Sequence, residues 1–253
     1  MQDTITIPPA SPSDILNSVV ADKEMQDMLR AGVHLGHAKS KTHTSMVEYI
    51  FGVRNTISLL DLAKTKDKLA LSLDAIRDIA SRGGMVFLVG TRPAGRKAIL
   101  EVVADLNMPY FVERWIGGTL TNFKEIQKRI LYLEQLETEK RTGGFEKYTK
   151  KERMKKDEEI ERLKKNFDGL RTLKRLPDAV FVVDINEDVT AVREARQLRI
   201  PVVALVDTNS NAKLVDYPIP SNDDALPAVR YMVGRVADAI QEGKRMGVEK
   251  KEV

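Results

Sequence analysis

Three short apolar runs constrain this chain more than anything else in it. MVFLVG (85–90), AVFVVD (179–184) and VVALVD (202–207) are of strand length and do not alternate with polar residues. A strand that reads this way is buried on both faces, as the central strands of parallel sheets are. Helical patterns lie between such runs. Leu62, Leu69, Leu73, Ile76 and Ile79 recur at helical spacing between a capping Asp61 and the Gly83–Gly84 stop. Pro93 suits the first turn of a helix over about 93–106. A helix from about Asp188 to Leu198 joins the second and third runs. PYFVE (109–113) and a short YPI (217–219) add strands, and a final helix runs from about Asp223 to Gly243. Strands alternating with helices imply an α/β fold, a parallel sheet covered on both faces.

The first sixty residues read differently. Residues 1–12, with Pro8, Pro9 and Pro12, form an irregular tail. A short helix covers Asp22–Ala31, ended by Gly32. VHLGHAKSKTHT (33–44) is polar and aperiodic and reads as a loop. YIFGVRNTISLL (49–60) reads as two short strands about a Gly52–Asn55 turn.

Between the two halves of the sheet lies a strongly charged insertion. Residues 124–175 hold 17 Lys/Arg against 11 Asp/Glu, a net +6 in a chain whose total is +4. The positive charge is therefore concentrated there. Phe123, Ile126, Ile130, Leu133 and Leu136 step by three or four, as do Met154, Ile160, Leu163, Phe167 and Leu170 after a break at Thr142–Gly144. Thr149 and Glu152 form a capping box that restarts the helix. Narrow apolar stripes on charged helices pack against each other, which predicts a two-helix antiparallel coiled-coil arm.

At 253 residues and 42% hydrophobic, the chain can bury a real core. It has no cysteine, which excludes disulfides, thiolate metal sites and cysteine nucleophiles. No apolar run approaches the roughly 18 residues of a membrane span. The N-terminus carries Asp3 and no Arg, unlike a secretory or transit peptide, so the cytoplasm is the expected location.

The turn GTRPAGRK (90–97) after the first buried strand resembles an anion site, because a helix N-terminus offers free N–H groups. A nucleotide phosphate loop needs Lys then Ser/Thr after its second Gly, and here Arg96 and Lys97 stand there. Arg92, Arg96 and Lys97 suit an RNA phosphate instead; a plain structural turn is the alternative. His34, His37 and His43 lack a fixed tetrahedral set of partners, so no metal is expected. Asp184, Glu187, Asp188 and Asp207 follow strand ends, where α/β enzymes place catalytic acids, but helix capping and Asx-turns account for them more simply. Ser221-Asn222-Asp223-Asp224 caps the last helix. Trp115, in RWIGGTLTN, either stacks on a base or covers the root of the arm.

Taken in order, AGVHLGH (31–37), YIFGVRN (49–55), FLVGTR (87–92), RWIGGTLTNF (114–123), FEKYTKKE (145–152), LPDAVFVVD (176–184), IPVVALVDTNS (200–210) and IPSNDDA (219–225) resemble the small-subunit ribosomal protein S-two family in its bacterial form. The resemblance implies a flavodoxin-like (Rossmann-like) three-layer parallel sheet with an inserted coiled-coil hairpin. It implies binding to small-subunit ribosomal RNA and to neighbouring ribosomal proteins, including the large ribosomal protein S-one, and no catalysis. The chain then divides into an irregular extension (1–24), an α/β RNA-binding body (25–121 and 176–243), a coiled-coil hairpin (122–175) and a polar tail (244–253). Charge and placement nominate Lys39, Lys41, Arg54, Asn55, Arg92, Arg96, Lys97, Arg114, Trp115 and Asn122 as RNA contacts on the body, with Lys124 and Lys128 extending them onto the arm. No cofactor or small-molecule substrate is expected. A nucleotide-binding α/β enzyme and a protein-only interaction module remain as alternatives.

Overall fold

The computed structural model describes residues 22–249. The irregular segment expected over residues 1–12, most of the 1–24 extension and the last four residues lie outside the described residues.

The first helix, α1 (Lys23–Ala31), starts where the Asp22 carboxylate accepts the Glu24 N–H (2.9 Å), and it stops at Gly32 with φ +77°. A three-stranded antiparallel sheet follows, in the order β1 (Leu35–Ala38), β3 (Ile57–Leu60), β2 (Ile50–Arg54). The strand β1 corrects the expectation of a loop over 33–44. Its sequence shows no apolar alternation because it is an edge strand whose side chains stay partly exposed, and β3 supplies its ladder bonds. The β2–β3 turn is also displaced from the expected Gly52–Asn55. Gly52 is buried within β2, and the chain reverses at Asn55–Thr56, with φ of +47° and +67°. Two positive-φ residues in a two-residue loop match the right-handed twist of the flanking strands.

The main sheet has five parallel strands in the order β5 (Tyr110–Phe111), β4 (Val86–Val89), β6 (Ala179–Val182), β7 (Val202–Val206), β8 (Tyr217–Pro220). Counted along the main sheet alone this is the flavodoxin-like order 2-1-3-4-5. The strand interiors of β4, β6 and β7 are buried throughout, as their unbroken apolar runs require. Side chains alternate between faces. Val86, Leu88, Phe181, Val203 and Leu205 point into one cluster with α2 (Leu62–Ser81), α3 (Pro93–Leu106) and α7 (Leu226–Glu249). Phe87, Val89, Val180, Val182 and Ala204 point into the other, shared with α6 (Val189–Gln197), the small sheet and the inserted helices.

The insertion forms α4 (Phe123–Arg141) and α5 (Lys150–Phe167), the second opened by the Thr149–Glu152 capping box. Their contacts run in opposite directions along the chain. Gln127 donates to the Lys174 carbonyl (3.0 Å), Glu137 accepts from Arg171 (2.7 Å), and Lys140 pairs with Asp157 (2.9 Å). Ile126, Ile130, Leu133 and Leu136 are buried with Ile160, Leu163 and Phe167. Met154, expected on the stripe, is 57% exposed; it lies in the first turns of α5, where Phe145 and Tyr148 already close the inter-helix turn.

The last helix does not end at Gly243 but runs on to Glu249. Gly243 and Gly247 are not stop signals. A Cβ at Gly243 would lie 2.5 Å from the Arg77 carbonyl oxygen, and one at Gly247 2.2 Å from that of Ser81. The glycines let α7 approach the α2 backbone closely, a use that local helix rules do not register.

Candidate nucleic-acid interface

The small sheet joins two stretches of sequence into one cationic tip. The Lys39 N–H donates to the Thr56 carbonyl (2.8 Å), which sets Lys39 and Lys41 beside the Asn55–Thr56 turn and Arg54. Lys39, Ser40, Lys41, Arg54, Asn55 and Thr56 are all exposed. From Val33 to Leu60 the only carboxylate is Glu48. Among the described residues, Lys39, Lys41 and Arg54 have no ion-pair partner. Four of the expected contacts, in two pairs 13 or more residues apart in the chain, thus share one exposed end.

The three cations at the start of α3 do not act as one group. Arg92 turns inward, its Nε 2.7 Å from Asp184 Oδ2 and its Nη1 on Asp224. Arg96 pairs with Glu113 (2.6 Å). Lys97 is exposed, makes no ion pair among the described residues, and contributes its charge to lowering Glu101. The helix start therefore presents one cation outside an ion pair, Lys97, where the sequence suggests three.

Beyond β5, Arg114, Asn122 and Lys124 are exposed, while Lys128 pairs with Glu125 (2.6 Å). Trp115 is turned towards the fold. Its ring packs on Phe111 (5.1 Å between centroids) and Phe87 (5.9 Å), and its indole N–H donates to Glu194 (3.1 Å). The same carboxylate accepts the N–H groups of Gly118 (2.8 Å), Leu120 (2.9 Å) and Thr121 (3.1 Å) and the Thr121 hydroxyl. Burial pushes the Glu194 carboxyl upward, but the hydrogen bonds together prevail and hold it below its ordinary range. Sequence reasoning missed Glu194. The signal was present, because it falls three residues after Ala191, on the apolar face of α6 that buries Val192 and Ala195.

The carboxyl ends of β4, β6 and β7 meet at the crevice where open α/β sheets bind ligands. Here the crevice is filled by the protein's own charges. Asp184 Oδ1 accepts the N–H groups of Asn186 (2.8 Å) and Glu187 (3.1 Å), an Asx-turn at Asp184 where the sequence suggested one at Asp207. Asp188 makes no side-chain cap to α6. It accepts from the Thr91 hydroxyl (2.9 Å) and N–H (3.2 Å), and burial raises it to about 6 against those bonds. Burial, with Asp184, Asp207 and Asp224 nearby, raises Asp223 to about 8. Asn222 accepts the N–H groups of Asp224 (2.9 Å) and Ala225 (2.8 Å) and so leads into α7. The histidines have separate settings: burial lowers His34, Asp207 beside it raises His37 against burial, and His43 contacts Ser45 (2.8 Å). No group of three or more His, Asp or Glu among the described residues is arranged to hold a metal ion.

The family described as Ribosomal protein S2 matches residues 28–243. The small ribosomal subunit protein uS2 of Endomicrobium trichonymphae is 43% identical over 225 residues, covering 89% of this chain and 92% of the relative. That of Thermus thermophilus is 43% identical over 225 residues, 89% of this chain and 88% of the relative. That of Roseiflexus castenholzii is 42% identical over 220 residues, 87% and 84% respectively. With the family's model covering residues 28–243 and relatives 43% identical over 89% of its length, the chain belongs to the ribosomal protein S2 family.

Proposed function

We propose that the cationic tip of the small sheet is the principal contact of this protein with ribosomal RNA. As a member of its family, the chain is a structural, non-catalytic component of the small ribosomal subunit, and it associates with the RNA and proteins of that subunit. The observation that carries the RNA reading is the joining of Lys39, Lys41, Arg54 and Asn55 at one exposed end, the three cations without an ion pair among the described residues. Such cations neutralise phosphates and release counterions, which supplies affinity that falls steeply with salt. Structured RNA is recognised mainly by shape and backbone, so free Lys/Arg on a rigid hairpin suffice. Lys97, Arg114, Asn122 and Lys124 form the second proposed group. Arg92, Arg96 and Lys128, already engaged by carboxylates, and Trp115, engaged by Glu194, are given a supporting role instead.

The helices α4 and α5 are proposed as a coiled-coil arm that meets neighbouring small-subunit proteins, the S-one protein among them. Exposed Leu131, Tyr132 and Met154 favour protein contact there. The location that follows is the cytoplasmic ribosome.

The test is binding to small-subunit ribosomal RNA across a salt series, with co-sedimentation on a sucrose gradient. Reversing Lys39, Lys41 and Arg54 to Glu should weaken binding and lower the salt slope by about one for each phosphate no longer neutralised. Unchanged affinity and slope would rule the tip out.

A further inference from the structure

The base of the small sheet is packed into the second cluster through Met46, Tyr49 and Leu60, and Ala212 N donates to Ser45 Oγ (3.0 Å); further out, the polar contacts with the body are these. His37 N donates to Thr208 Oγ1 (2.9 Å), His43 N to the Thr208 carbonyl (2.8 Å), Asn222 N to the Val33 carbonyl (3.0 Å) and Asn222 Nδ2 to the Leu35 carbonyl (2.7 Å). Gly36 lies so near that a Cβ there would come within 2.4 Å of Thr208 Cγ2. At the centre of this seam the His37 ring stands between two carboxylates. Nδ1 is 3.2 Å from Asp207 Oδ2 and Nε2 is 3.2 Å from Asp224 Oδ2.

A neutral imidazole has one N–H, so its other nitrogen would turn a lone pair toward a carboxylate. Only the imidazolium sets positive charge against both carboxylates; Nδ1 is buried without a hydrogen-bond partner among the described residues, so its contact with Asp207 is one of charge. The surroundings sharpen this need. Asp223 is 1% exposed, and its Oδ1 has no hydrogen-bond partner among the described residues. Arg92 bridges Asp184 and Asp224 from the start of α3, with Glu187 and the Thr91-bound Asp188 behind it. From the hairpin side, His34 is held low by burial, and His43 is engaged with Ser45. His37 and Arg92 are thus the cations set against Asp184, Asp207, Asp223 and Asp224.

We propose that His37 is a proton-dependent clasp that docks the cationic hairpin on the carboxyl edge of the main sheet, so that RNA binding by the hairpin weakens as the imidazolium is lost. The last clause rests on the RNA reading above; the clasp itself does not. Asp207, then the other carboxylates, hold His37 above the ordinary histidine range. A group raised on folding contributes stability that is complete below its unfolded value and is lost as pH rises through the folded one. Asp223, once ionised, is one of the carboxylates that raise His37, so it favours the imidazolium.

The experiment is hydrogen exchange on the full chain at about pH 6 and about pH 8.5, corrected for intrinsic rates, which spans histidine titration. Residues 33–60 should lose protection at the higher pH while 86–89 and 179–182 keep theirs. H37Q should lose protection at both. Equal wild-type protection at the two values overturns the clasp, and that measurement needs no variant to fold. In parallel, wild-type affinity for small-subunit ribosomal RNA should fall with pH, by at most about tenfold per pH unit for one proton, and should be flatter in H37Q. A hairpin that opens while RNA affinity stays constant overturns the coupling. An opening hairpin on a protein that binds no RNA at either pH leaves the clasp standing and removes the RNA reading.

Discussion

The Trp115 indole N–H and the Glu194 carboxylate meet at 3.1 Å, and that one carboxylate organises the whole turn from Trp115 to Thr121. Among the described residues this buried anion has no ion-pair partner, and N–H and O–H donors stabilise it. The turn carries exposed Arg114 on one side and Asn122 and Lys124 on the other, so Glu194 sets the spacing of groups it never touches.

Glu194→Ala is expected to cost about 3 kcal/mol, because it leaves several poorly solvated N–H groups without an acceptor. Glu194→Gln should cost less, since an amide oxygen still accepts. Urea unfolding followed by the fluorescence of Trp115, the single tryptophan, measures both. Equal midpoints for wild type and Glu194→Ala would show that the turn holds without its anchor.

The buried acids set a pH dependence of definite sign. Asp223 is raised to about 8 and Asp188 to about 6 from an ordinary 3.8. The folded state therefore holds protons that the unfolded chain has released, and stability falls as pH rises through those values. Asp223→Asn, which cannot ionise, should melt higher than wild type above about pH 8 and show a flatter profile. Melting temperatures that rise with pH between about 6 and 8.5 would contradict this.

Two glycines of α7 are expected to respond in opposite senses. Gly234→Ala meets nothing within 4 Å and should stabilise by about 1 kcal/mol through helix propensity alone. Gly243→Ala drives a methyl into the Arg77 backbone and Ala80 Cβ at 2.5–2.7 Å, and should destabilise by roughly 1–3 kcal/mol. Chemical denaturation of the pair gives the comparison; effects of the same sign would mean that α2 and α7 do not touch there.

Thr56 is a β-branched residue at φ +67°, a conformation that costs roughly 1 kcal/mol or more outside glycine. Thr56→Gly should therefore stabilise the hairpin by about 1 kcal/mol, read as slower amide exchange in β2 and β3. Faster exchange would show that the threonine is not strained.

Much of the fold was legible because its cause is local. Unbroken apolar runs are read as buried strands from composition alone, and β4, β6 and β7 fall within the runs at 85–90, 179–184 and 202–207. Helix α3 begins at Pro93 and ends at Leu106 as its sequence indicates, and the Thr149 box restarts α5 where it should. The family was legible for the same reason, through contiguous motifs.

What periodicity could not supply is which distant group faces which. The strand β1 exists because β3 lends it hydrogen bonds, not because Leu35–Ala38 favours a strand. Gly243 reads as a helix stop until α2 lies against it. Arg92, Arg96 and Lys97 are equivalent in sequence and separate only when Asp184, Asp224 and Glu113 arrive from other elements. The chain alone determined where charge and apolar surface lie along its length; the tertiary structure decided which charges are neutralised inside and which remain free, because electrostatic pairing acts through space and is blind to sequence distance.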